Sequence, residues 1–238
     1  MTKFAYEYEK YLCDAENIKE TVIKYGVAIC PILDTEECEN MIENKWAVLE
    51  KLTAEFEVPY TRNNFECIQS WVNAYDTNEG DATLVILENS NSFHEEFQKE
   101  FKITDKKDWY KLANKEQYDF YVNKGCREVA IKCPRGYGVF WDSRTLHYGN
   151  PVQKTAADNY NYRCVVYVCM VPRAFAKKKD LEKRVRIFNE LRMTSHWPNK
   201  ATLFPKLPRT YGKPIKKICD ITMDEVSTYI TSDGMRLI

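Results

Sequence analysis

The sequence predicts a mainly β protein with helical cladding, an α+β chain built on a jelly-roll (double-stranded β-helix) core with its N-terminal helices packed outside. Two observations predict it. Helical periodicity dominates the first part of the chain and then gives way to short strands interrupted by a helical insertion. No Gly-rich phosphate loop and no regular βαβ alternation is present, which argues against a Rossmann or P-loop fold. The 238 residues fit one domain, laid out as N-terminal helices and a strand (1–58), a jelly-roll core (65–172) with a helical insertion (91–124), and a C-terminal helix with an irregular tail (173–238).

Each element has its own signal. "DAENIKETVIKYG" reads as a helix, with Asp14 as cap, Ile18, Val22 and Ile23 at helical spacing and Gly26 to end it. The strand "VAICPIL" follows, then a long amphipathic helix, "DTEECENMIENKWAVLEKLTAEF", with Met41, Ile42, Trp46, Leu49 and Leu52 along one side. From Phe65 the pattern changes to the strands "FECIQSWVNAY" and "ATLVILE", parted by the turn "DTNEGD". "SNSFHEEFQKEF" reads as a helix, and "KKDWYKLANKEQYDFYVNKG" as one or two more. Strands return at "REVAIKCP", "GYGVFWD" and "YRCVVYVCMV", and "AFAKKKDLEKRVRIFNELRM" is a charged helix. Pro198, Pro205, Pro208 and Pro214 leave the last forty residues irregular.

Composition narrows the function. Lys+Arg and Asp+Glu both total 35, so a general nucleic-acid or anionic-membrane partner, which calls for a basic excess, is not expected; a small molecule is. No apolar run reaches membrane-spanning length, and "MTKFAYEYEKYL" lacks the apolar stretch of a signal peptide. The nine cysteines are scattered, odd in number and free of any CxxC pair. Cys164 and Cys169 sit within an apolar strand as small hydrophobes, and a reduced, cytoplasmic setting is the expectation.

Two residues carry the chemistry. In "NYNYRCVVYVCMVP" (159–172), reading by twos places Arg163, Val165, Tyr167 and Cys169 on one face and Tyr162, Cys164, Val166, Val168 and Met170 on the other. Both faces are largely apolar, which predicts a central strand buried on two sides. Arg163 then needs an anion, either a protein carboxylate such as Asp142 or Glu66 or that of a ligand. Folding this strand back on "GYGVFWDSRTLHYGNPV" (136–152) as a hairpin sets His147 nearly opposite Arg163. A neutral imidazole beside a permanent cation is poor packing, and makes chemical sense if a metal binds the one and a carboxylate bridges to the other.

The order "GDATLVILENSNSFHEEF", "CPRGYGVFWDSRTLHYGNPV", "YRCVVYVCMVPR", with the opening "YGVAICPILDTEEC", resembles the phytanoyl-CoA dioxygenase-like branch of the Fe(II)/2-oxoglutarate-dependent oxygenases over roughly residues 65–175. The resemblance implies that His147 is the distal iron ligand, that Arg163 binds the 2-oxoglutarate carboxylate, and that His94 shapes the pocket rim. It implies Fe(II) and 2-oxoglutarate as cofactor and co-substrate, and hydroxylation of a C–H bond as the reaction. The chain departs from the pattern at one point. Such enzymes carry a His-x-Asp pair ahead of "FECIQSW", and here no histidine precedes His94; Glu55 and Glu57 are carboxylates in that region without an assigned role.

A second reading therefore stands beside the enzyme: a non-catalytic jelly-roll domain that keeps the anion pocket or only the fold. A third is a deletion product of a longer enzyme. Asp142 and Arg144 are expected to pair with each other, His94 to cap or pack a helix start, and His196 to lie in a surface turn. The "KKKDLEKRVR" run reads as a solvated helix face with i,i+4 pairs. Trp71, Tyr75, Trp141 and Tyr167 are core or pocket wall.

Overall fold

The computed structural model describes residues 5–49, 65–104, 110–153, 160–192, 194, 197–203, 222–228 and 230. Leu52, Glu55, Glu57 and His196 lie outside the described residues, as do the side chains of Trp46 and Leu49. The chain divides into two compact units, 1–44 with 57–168, and 45–56 with 169–238.

The first unit holds two four-stranded sheets, save the last two residues of the strand that ends at Met170. One runs β1 (Ala5–Glu7), β5 (Glu128–Ile131), β4 (Thr83–Leu87), β7 (His147–Asn150); the other runs β2 (Val27–Pro31), β6 (Tyr137–Asp142), β3 (Ile68–Asn73), β8 (Val165–Met170). Neighbours are antiparallel where the register is given, except that β1 runs parallel to β5. Pro31 sits in β2, an end strand, where a missing N–H costs no ladder bond.

Alternation decides which side chains meet. Val27, Ile29, Trp71, Val139 and Trp141 of the second sheet pack against Leu84, Ile86, Val129 and Ile131 of the first, forming the inner core. The outer faces are clad by helices, as the sequence anticipates. α1 (Ile18–Tyr25) lays Ile18 and Val22 on Ala28, Cys30 and Phe140. α3 (His94–Glu100) and α4 (Lys115–Asn123) set Phe97 and Tyr121 over Leu87 and Cys126. Only one helix, α4, forms among the described residues of 110–124, capped by Asn114, whose side chain accepts from the Gln117 N–H.

Local chemistry sets the boundaries. α1 ends at Gly26 in the left-handed region (φ 80°), where a Cβ would lie 2.8 Å from Thr145 Oγ1 and 2.9 Å from Asn91 Oδ1. α2 (Thr35–Leu49) opens on a reciprocal cap: the Glu37 N–H donates to Asp34 Oδ1 (2.8 Å) and the Asp34 N–H to Glu37 Oε2 (2.9 Å).

Two expectations are corrected. β7 and β8 do not form a hairpin: β7 pairs with β4 and β8 lies beside β3, in different sheets, so His147 and Arg163 are not ladder partners. Nor is β8 central. It ends its sheet among the described residues, with Val166 51% and Tyr167 48% exposed. Apolar residues on both faces of a strand satisfy β propensity without requiring burial, and that ambiguity misled the periodicity.

In the second unit α5 (Lys178–Asn189) carries the basic run, with i,i+4 pairs Lys178–Glu182 and Arg186–Glu190 at 3.9 Å each; its buried residue is Ile187. Trp197 and Ala201 are buried there, Lys183 Nζ donates to the Ala201 carbonyl (2.6 Å), and a short helix α6 spans Met223–Ser227. No helix among the described residues is long and apolar enough to cross a membrane.

Candidate functional site: the inner face between β7 and β8

The turn 142–146 aims His147. The Thr145 N–H donates to the Asp142 carbonyl (2.9 Å), the Thr145 hydroxyl to the Gly26 carbonyl (3.1 Å), and the Leu146 N–H to Ser90 Oγ (2.9 Å). With its turn held on three sides, His147 enters β7 opposite Ile86, on the core-facing side. Its Nδ1 lies 2.7 Å from the Thr145 carbonyl and must carry the proton to donate there, which leaves Nε2 as the acceptor. The Trp141 indole N–H donates to that Nε2 across 3.3 Å, the two rings edge-on at 5.4 Å between centroids. Burial pushes the imidazole pKa below its ordinary 6.5, against the opposing pull of the Thr145 carbonyl, so the ring is neutral near pH 7.

Two residues along β7, Gly149 lies on the same face opposite Leu84, with nothing within 4 Å of where a Cβ would stand. Gly149 is exposed, so this end of the face meets solvent.

Arg163 arrives from the other edge. The loop before it is tied down by the β3–β4 turn: the Asn161 N–H donates to Asp81 Oδ1 (2.8 Å) and the Asn161 amide to the Asp76 carbonyl (3.1 Å). The same turn receives the exit of β7, where the Gln153 N–H donates to the Gly80 carbonyl (3.0 Å). The Arg163 guanidinium lies 5.5 Å from the Trp71 ring centroid and 5.6 Å from that of Tyr167, a cation–π pocket. No carboxylate pairs with it among the described residues. Asp142 belongs to Arg144, whose Nη2 reaches its Oδ2 at 2.6 Å, as the sequence anticipates.

Behind Arg163, β3 presents Gln69 and Trp71 inward; Gln69 is the register partner of Trp141. Among the described residues, Gln69 Nε2 and Trp71 Nε1 have no hydrogen-bond partner, in buried side chains 4% and 0% exposed. Trp71, expected in the core or the pocket wall, belongs to the core. Residue type alone does not signal Gln69, although its polar side chain stands at the same parity as Trp71 in "FECIQSWVNAY". His94 begins α3 and is buried, as expected of a residue packing a helix start.

The fit of a metal follows from these contacts. Among the described residues no group of three His, Cys, Asp or Glu side chains could hold a metal ion, and the one imidazole on the inner face has both nitrogens engaged. The described residues do not fit an iron centre.

No family model matches the chain. It is 24% identical over 141 residues to "Ava biosynthesis cluster protein O" of Aspergillus versicolor; the alignment takes in 56% of this chain and 44% of that protein, so the chain spans under half the relative's length. Structural neighbours include the non-heme alpha ketoglutarate dependent epimerase SnoN (TM-score 0.42, 9% identity, 65% of this chain and 81% of that one). The carbocyclase SnoK, likewise from nogalamycin biosynthesis, aligns at a TM-score of 0.41 with 13% identity (65% and 84%). A hypothetical protein of Escherichia coli, JW0805, aligns over 95% of this chain and 84% of its own at a TM-score of 0.57 and 11% identity. That last likeness is one of fold: two mostly antiparallel sheets with helices recur there nearly end to end.

Proposed function

We propose that this protein is a jelly roll of the 2-oxoglutarate-oxygenase type that binds a small organic carboxylate between its sheets, 2-oxoglutarate foremost, with Arg163 as the anchor. One observation carries the reading. Arg163 rests on Trp71 and Tyr167 at the open edge of the inner face, and no carboxylate pairs with it among the described residues. A guanidinium in that setting is a fork awaiting two oxygens, and a carboxylate supplies them in one plane.

Motif order resembles that of the phytanoyl-CoA dioxygenase-like branch, whose reaction is hydroxylation coupled to decarboxylation of 2-oxoglutarate. Iron, when bound in such enzymes, supplies oxygen activation. The described residues do not assemble a centre for it, so the reading stops at recognition of the carboxylate. The partner is a small molecule rather than nucleic acid, and the free cysteines of the described chain suit a reducing, cytoplasmic setting.

Isothermal titration with 2-oxoglutarate tests the proposal. Wild-type protein is expected to bind, Arg163→Ala to lose about tenfold or more in affinity, and Arg163→Lys to recover only part of it, since a point charge replaces a planar fork. Equal heats for wild type and Arg163→Ala would remove Arg163 from the site.

A further inference from the structure

We infer that Trp141 occupies the coordination position of His147, and that the space between the sheets takes its carboxylate without a metal, on Arg163 together with the free N–H donors of Gln69 and Trp71. The ligand half of this inference rests on the function proposed above; the Trp141 half stands on its own contacts.

A metal approaches an imidazole along its nitrogen lone pair, at about 2.0–2.1 Å for zinc. On His147 that lone pair is Nε2, since Nδ1 spends its proton on the Thr145 carbonyl. Trp141 Nε1 points its hydrogen at the same lone pair. Indole and metal cannot share it.

Nor is the indole free to swing aside. Trp141 lies in the interior strand β6, between its partners Val27 on β2 and Gln69 on β3, and its ring belongs to the inner core. Vacating His147 would mean unpacking that core. A residue this deeply set is part of the wall rather than a gate.

Of the unpartnered polar atoms at the 69, 71 and 73 positions of β3, the first two are donors, and Asn73 Oδ1, at the end of the strand, is an acceptor. Gln69 Nε2 and Trp71 Nε1 are buried donors with no acceptor among the described residues, on adjacent inward positions of β3, and Arg163 adds a third donor group over the Trp71 ring. Unmet donors in a dry interior are costly, and a ligand rich in acceptor oxygens relieves all of them together. A carboxylate is that ligand, and the bare inner face at Gly149 gives it a way in.

Two titrations on the full chain test the inference. The first adds Co(II) and follows its visible absorption, with the imidazole nitrogen-15 shifts of His147 read in parallel. The expected result is no cobalt band, and an Nε2 shift that stays put on cobalt addition and moves in Trp141→Phe. A cobalt band that His147→Ala abolishes overturns the inference, as does an Nε2 shift indifferent to Trp141→Phe. The second compares 2-oxoglutarate and succinate binding in EDTA and in Fe(II) under anaerobic conditions. Affinities equal within about twofold, and weakened about tenfold by Gln69→Leu in a protein with unchanged circular dichroism, are expected. A gain of about tenfold on adding iron overturns the metal-free site. If neither acid binds in either buffer, the role of Arg163 and the ligand half fall together, while the cobalt result still decides Trp141.

Discussion

The backbone N–H of Asn161 donates to Asp81 Oδ1 at 2.8 Å, joining the approach to β8 to the turn between β3 and β4. Asp81 is buried, and its second oxygen accepts from the Asn78 N–H at 2.8 Å, so one carboxylate closes its own turn and pins the segment leading to Arg163. Asp81→Ala is expected to destabilise the fold by about 1.5–3 kcal/mol in urea unfolding, the range for hydrogen bonds to a charged group. It should also weaken 2-oxoglutarate binding although Asp81 reaches no ligand, because Arg163 loses its fixed approach. Unchanged affinity in calorimetry would show that Arg163 is placed by its aromatic neighbours alone.

Arg144 and Asp142 pair at the end of β6, the Asp142 side chain almost wholly buried and that of Arg144 20% exposed. Removing the cation strands the anion. Arg144→Ala is expected to cost about 3–5 kcal/mol, as for other broken buried pairs, while a charge-free replacement of both residues recovers much of the loss. Chemical denaturation of the single and double variants reads the difference.

At the opposite edge, Arg127 holds Glu7 with both terminal nitrogens (2.8 and 2.7 Å) and Glu88 with its Nε (2.9 Å), tying β1 to the strands beside it. The Arg127 bond brings the Glu7 pKa from 4.5 down to about 2. A depressed carboxylate stabilises the folded state fully above its unfolded value, and that contribution drains away as pH falls from 4.5 towards 2. Arg127→Ala should flatten this part of the stability–pH curve. Salt should flatten it too, because Arg127 is 45% exposed.

His147 contributes at milder acidity. With its folded-state pKa held below 6.5, the unfolded chain takes up the proton first, so stability is full above about pH 6.5 and declines below it until the depressed folded value is reached. Thermal unfolding of wild type and His147→Gln between pH 7.5 and pH 5 should diverge in slope, the variant being the flatter.

Much of this was written in local pattern. The alternation of "YRCVVYVCMV" put Arg163 on the face shared with Val165, and Val165 does pack on the inner core while Arg163 covers Trp71. Asp142 and Arg144, two residues apart, met as expected. What local pattern does not encode is partnership at a distance. His147 and Trp141 are six residues apart in sequence yet stand in different sheets, and their contact exists only because β7 pairs with β4. β1, three residues long, is too short for any period to register, and its partner lies far down the chain. Gln69 looked unremarkable because a polar residue in a strand normally faces water; here it shares the parity of Trp71.

The seating of β1 also has a bearing on how the chain is made. Glu7 and the Arg127 that grips it are 120 residues apart. A ribosome adding about 5–20 residues per second takes on the order of 6–24 s to cover that distance. Among the strands described, the first to be synthesised therefore waits longest for its partner, and until then the edge of β5 it will cover does not exist. Contacts of such long sequence separation slow folding, because the loop must close before any pairing rewards it. For this protein the wait is built into the order of its strands.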